Sequence, residues 1–210
     1  MGQSGNYAGA NPDVLDSVTS ASQGASDHLF AFTTLDSSVT SSFTNGSTTW
    51  FSFISYKQSG RQAIAAIGAG PLTGDRSRTS AAGEAAIGMG GRYNSGDSMA
   101  HTWAGGAEYA NGASAGSATE MFLIAKIEWA AGGSNDTITV AAFADGATIT
   151  EAAFNAATQS VLTGDYNQAT FDTLSIGNQK HYIDEIRIAT TFEDAVTGVI
   201  PEPSSTALLA

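Results

Sequence analysis

Cysteine is missing from all 210 residues, so a disulfide framework and a thiolate metal centre are both excluded. Its absence leaves the compartment open, because a chain of this length can bury an adequate core without covalent staples. Basic side chains are scarce: 8 Lys and Arg stand against 20 Asp and Glu, a net charge of −12. Such a surface repels phosphate backbones and anionic headgroups, which argues against nucleic-acid and peripheral membrane binding. Long apolar runs are lacking too. The chain closes on Ala207-Leu208-Leu209-Ala210, far below the ~20 apolar residues that span a bilayer. At the other end, Met1-Gly2-Gln3-Ser4-Gly5-Asn6 has neither the basic nor the apolar region of an export signal.

What the chain has instead is Gly, Ala, Ser and Thr, with 24 glycines, arranged as short strand-like runs between turn clusters. The runs are 28–35 (HLFAFTTL), 48–57 (TTWFSFISYK), 62–68 (QAIAAIG), 84–92 (EAAIGMGGR), 121–130 (MFLIAKIEWA), 136–143 (DTITVAAF), 170–176 (TFDTLSI) and 181–190 (HYIDEIRIAT). Two of them alternate cleanly. Leu123, Ala125, Ile127 and Trp129 share one face opposite Lys126 and Glu128, and Tyr182, Asp184, Ile186 and Ile188 share one opposite Ile183, Glu185 and Arg187. A period of two gives each strand a core face and a wetter face. Gly132-Gly133-Ser134-Asn135 reads as a hairpin turn between 121–130 and 136–143. Only 151–160 (EAAFNAATQS) reads as helical, and neither heptads nor internal repeats occur. The pattern predicts an all-β, two-sheet antiparallel sandwich with at most one short helix. It occupies 27–198, behind a loose flank, 1–26, that could hold the remnant of a first strand.

The last residues, 199–210, form a separate unit. Pro201-Glu202-Pro203 is stiff because each proline fixes its own φ and pushes the residue before it toward extended backbone. Followed by Ser204-Ser205-Thr206-Ala207-Leu208-Leu209, it resembles the start of the PEP-CTERM sorting signal. That signal is carried by proteins that Gram-negative bacteria send to the cell surface or extracellular matrix through an exosortase. The resemblance implies an exosortase-type processing enzyme as partner and export to the envelope, surface or matrix. In that family a membrane-spanning helix and a basic tail follow, and an export signal precedes, so both ends of this chain are expected to be trimmed.

The strands carry a second resemblance, from about Asp27 to Val196. Thr48-Thr49-Trp50-Phe51-Ser52-Phe53 looks like the early core strand of concanavalin-A-like, laminin-G-type jelly-roll domains. Met121 to Glu128, the glycine turn and Asp136-Thr137-Ile138-Thr139-Val140 resemble their central hairpin. Tyr182 to Ile188 with Thr191-Phe192-Glu193-Asp194-Ala195-Val196 is similar to their closing strand and tail. The family's opening strand is degraded in 1–26, and Ala144-Asp145 stands where a proline often follows the hairpin. A jelly roll without that strand exposes an edge.

Candidate sites follow. Asp184 is a charged residue that alternation sends inward, where a carboxylate has to be hydrogen-bonded, paired or metal-bound. It either accepts backbone N–H groups from a loop or ligates calcium; no other cofactor is expected. Tyr93, Trp103 and Tyr109, among Arg92, Asn94, Asp97, His101 and Glu108, suit an aromatic glycan-binding loop over a sheet face. They equally suit a cover for the core.

Catalytic patterns are weak. The Glu-x-Asp-x-x-Glu string of same-fold glycosidases does not occur, and Asp184 and Glu185 are adjacent and so diverge. Gly112-Ala113-Ser114-Ala115-Gly116 matches a nucleophile elbow formally but lacks its strand and helix. His28, His101 and His181 have no metal-ligand spacing. The formal sequons at Asn45 and Asn135 read as turns. The expectation is a non-enzymatic surface protein that binds extracellular polysaccharide, or a purely structural matrix component; a carbohydrate-active hydrolase ranks last.

Overall fold

A computed structural model describes residues 29–57, 63–72, 85–91, 97–104, 107–114, 120–144, 146–178 and 181–197. The order of elements is β1 (Leu29–Thr34), α1 (Ser37–Thr40), β2 (Thr48–Lys57), β3 (Ala63–Gly68), β4 (Ala85–Gly91), β5 (Asp97–Ala104) and β6 (Ala107–Ser114). Then come β7 (Glu120–Glu128), β8 (Asp136–Ala144), α2 (Glu151–Ala156), β9 (Ser160–Gly164), β10 (Thr173–Asn178), β11 (His181–Ala189) and α3 (Phe192–Thr197). They build two antiparallel sheets, a six-stranded one in the order β1-β10-β3-β4-β5-β6 and a five-stranded one in the order β11-β2-β7-β8-β9. β10 slots between β1 and β3, and β11 lies beside β2, so the end of the chain closes both layers at their beginnings.

Alternation builds the interior. Phe51 and Phe53 of β2, Leu123, Ala125 and Ile127 of β7, and Ile138 and Val140 of β8 face Ala65, Ile67, Ile87, Met89, Leu174 and Ile176 of the other sheet, in one cluster. Each fully buried Phe, Leu or Ile contributes roughly 1.5–3 kcal/mol. The predicted face of Leu123, Ala125, Ile127 and Trp129 is this one, while Lys126 and Glu128 pair with each other at 2.8 Å on the far side.

A second apolar layer covers the outer face of the five-stranded sheet. Trp50, Ile54, Phe122, Ile124 and Ala141 meet Phe154 of α2 and Ala195 and Val196 of α3. Trp50 packs edge-on against Phe154 and Phe192, both at 5.1 Å. Thr150 starts α2 by accepting the Ala153 N–H at 3.0 Å, an N-cap bond. Ser52 donates its hydroxyl to the Ala195 carbonyl, anchoring α3 to β2.

Two expectations are corrected here. Among the described residues there are three short α-helices rather than at most one, and two of them, α2 and α3, roof the outer aromatics of β2 and β7. The helical reading of 151–160 stops at Ala156, where Ala157 turns extended at ψ 155° and the chain enters β9. No helix among the described residues is long and apolar enough to cross a membrane.

β3 and β4 approach closely at Gly88, opposite Ala66. A Cβ at Gly88 would lie 2.3 Å from the Ala65 carbonyl oxygen and 2.6 Å from Ala66 Cα. Both are backbone atoms, which cannot step aside as a side-chain tip can. Gly88→Ala is therefore expected to cost about 1–3 kcal/mol of unfolding free energy, as overpacking does. Urea denaturation measures it, and an unchanged midpoint would refute the close approach.

Candidate functional site

Three connections converge at one end of the sandwich: residues 43–47 before β2, residues 129–135 between β7 and β8, and residues 165–171 between β9 and β10, which contain a 3₁₀ turn at Gln168–Thr170. Asp136 holds two of them together. It is the first residue of β8, on the inward parity of Ile138 and Val140, and is fully buried. Its Oδ1 accepts the Ala130 N–H at 2.7 Å and its Oδ2 accepts the Tyr166 N–H at 2.9 Å. A buried carboxylate is tolerable when backbone donors satisfy it.

Trp129 joins the third connection. The Gly46 N–H donates to its carbonyl at 2.7 Å, its own N–H donates to Ser47 O at 3.0 Å, and its indole N–H donates to Thr49 Oγ1 at 2.8 Å. Beneath the loops its ring meets Phe43 at 5.5 Å and Phe171 at 5.8 Å, and Tyr166 meets Phe171 at 5.9 Å. The glycine turn takes its predicted shape, with Gly133 at φ +82°, a conformation that glycine adopts without strain.

On this base lies an open cleft of about 810 Å³. Its polar lining is Asn45, Asp165, Asn167 and Gln168, and Gly132 and Gly133 line it too. Asp165 Oδ1 accepts the Gly133 N–H at 3.2 Å. Gln168 Nε2 donates to Ala130 O at 3.2 Å and also to Asn45 Oδ1. Asn45, Asp165 and Gln168 are thus set by neighbours before any ligand arrives, which lowers the ordering cost of binding.

The residues singled out from the sequence lie elsewhere. Trp103 and Tyr109 are not on a loop: they occupy β5 and β6, a hairpin at the edge of the six-stranded sheet, where Trp103 pairs with Ala107 and Tyr109 with His101. Tyr93 and the Pro201, Glu202 and Pro203 motif fall outside the described residues.

Asp184 does not face the core. β11 bulges between Asp184 and Arg187, with Glu185 at φ +53°. The extra residue shifts the phase, so Ile183 and Ile186 both point inward and Asp184 is only half-buried. Its Oδ1 accepts the N–H of Glu185 at 2.8 Å, which supports a left-handed backbone that costs a non-glycine residue roughly 1–2 kcal/mol. Among the described residues no three His, Asp or Glu side chains converge as metal ligands.

Past the bulge, Arg187 is buried and faces α3. Its Nη1 donates to Val196 O at 2.6 Å and its Nη2 pairs with Glu185. Burial pushes the Glu185 carboxyl above its ordinary 4.5, and the Arg187 charge pulls it part of the way back. The folded state then holds this proton more tightly than the unfolded chain, so the group weakens folding as pH climbs from the ordinary value through the raised one. Relative to Glu185→Gln, wild-type stability is expected to fall across that window and to level off above it. Denaturant midpoints measured against pH check this; a constant difference between the two proteins contradicts it.

No protein-family model and no curated protein matches this chain.

Proposed function

We propose that this chain is an exported surface or extracellular-matrix β-sandwich that binds glycans without transforming them. The observation that carries this reading is the loop-end cleft, with three amide side chains and one carboxylate over a rigid aromatic base. Sugar hydroxyls both donate and accept, and planar amides on a pre-built concave site answer both needs. Asp165 is the single carboxylate among the described lining residues, whereas glycoside hydrolysis by the usual route takes two. A glycan array tests the reading: retention of the folded chain on at least one polysaccharide class is expected, and none on any class would remove it.

Display at the surface rests on the resemblance of Pro201-Glu202-Pro203 to the PEP-CTERM signal, handled by an exosortase-type enzyme in a Gram-negative-type envelope. Fractionation of cells carrying the intact motif, or Pro201→Ala with Glu202→Ala and Pro203→Ala, tests that part. Identical distribution of both forms would count against it.

A purely structural role is the second reading, favoured by β1. This edge strand carries no charge, and its Phe32 is 61% exposed. Natural edges normally carry charge, bulges or proline to prevent strand pairing between chains. Assembly that Phe32→Lys abolishes in light scattering would favour this role.

A further inference from the structure

On the basis of the glycan-binding reading, we infer that the loop-end cleft selects neutral glycans and rejects polysaccharides built from uronate or sulfated sugars. The cleft contains no Lys or Arg among its described lining residues, and its one charge is the exposed carboxylate of Asp165. Carboxylates and sulfates accept hydrogen bonds only, and proteins hold them with guanidinium or ammonium groups. The two cations whose side chains are described, Lys126 and Arg187, are each committed to a glutamate, Glu128 and Glu185, away from the cleft.

The amide geometry fits hydroxyl groups better. Gln168 is itself buried, and its Nε2 donates to Ala130 O and Asn45 Oδ1, so the exposed Asn45 is held with its amide NH₂ as the remaining donor, near the exposed Asp165 carboxylate as acceptor. Asn167 makes no capping bond with its side chain and is exposed at the rim. A hydroxyl satisfies both an acceptor and a donor, whereas an anion can use the amide donors alone and is repelled by the Asp165 carboxylate. The net charge of −12 adds a long-range barrier to any polyanion at low salt.

The test is biolayer interferometry of the full chain against immobilised laminarin, mannan and dextran on one side, and alginate and polygalacturonate on the other. At low ionic strength, acidic polymers are expected to bind at least ~10-fold more weakly than the best neutral one, with the gap narrowing as salt screens the repulsion. Asp165→Lys should bring measurable alginate binding, and Asn167→Ala should weaken neutral binding at least ~5-fold as a contact is lost. Acidic polymers bound as tightly as neutral ones would overturn the selectivity and leave glycan binding standing. Selective binding that ignores Asn167→Ala would overturn the cleft as its seat. Binding to neither class would remove the glycan reading itself, and this inference with it.

Discussion

Asp136→Ala is expected to lower the unfolding free energy by about 3–4 kcal/mol, since it removes two hydrogen bonds to a charged acceptor and leaves the buried Tyr166 N–H without one. For a chain of this size the corresponding drop in Tm is roughly 10 °C. Asp136→Asn separates charge from shape. An amide keeps one acceptor oxygen, but its NH₂ group would meet either the Ala130 or the Tyr166 N–H head-on, so about 2 kcal/mol should still be lost. Asp184→Ala is the control, because among the described residues its carboxylate serves only the neighbouring Glu185 N–H from a half-buried position; about 1 kcal/mol is expected. Equal losses at 136 and 184 in urea titrations would show that Asp136 is not the tie between turn and loop. The effect should also reach the cleft, whose lining residues Gly132, Gly133 and Asp165 to Gln168 flank the two N–H groups that Asp136 holds.

Alternation made most of this architecture legible, and it failed where the chain breaks its own period. β7 and β8 could be read because Leu123, Ala125 and Ile127 alternate with charges and a glycine turn follows. β5 and β6 could not. Their Ala, Asn, Gly and Ser residues have weak strand preference, and they are strands because β4 and each other supply hydrogen-bond partners. β9 was hidden behind EAAFNAATQS, whose first six residues are indeed helical. The same logic exchanged one aspartate for another. Asp184 looked inward because a one-residue bulge cannot be seen in a sequence, and β11 shifts phase there. Asp136 is the inward carboxylate, and the signal was present: in Asp136-Thr137-Ile138-Thr139-Val140 it falls on the face of Ile138 and Val140. The cleft had no local signature, since Asn45, Gly133 and Asp165 to Gln168 come from three distant segments that only the sandwich brings together.

Trp129→Ala should be the most damaging single substitution near the site, at about 3–5 kcal/mol for removing a large buried aromatic. Its ring is 2% exposed and wedged between Phe43 and Phe171, where the sheet interior ends and the loops begin. Truncation leaves a void that these rings cannot fill without moving 43–47 and 165–171, and it strips the fully buried Thr49 hydroxyl of the indole donor. Trp129→Phe divides the two contributions: an aromatic ring remains while the N–H is lost, so about 1–2 kcal/mol is expected. The main-chain bonds of residue 129 to Gly46 and Ser47 survive both changes, which makes the difference between the variants a measure of the side chain alone. Chemical denaturation with far-UV dichroism gives the two values. The proposed glycan binding should fail in the alanine variant at temperatures where its sheets remain folded, because the floor of the cleft loosens before the sandwich opens. An alanine variant as stable as the phenylalanine one would mean that the rings of Phe43 and Phe171 close over the gap, and that the loops rest on their own hydrogen bonds.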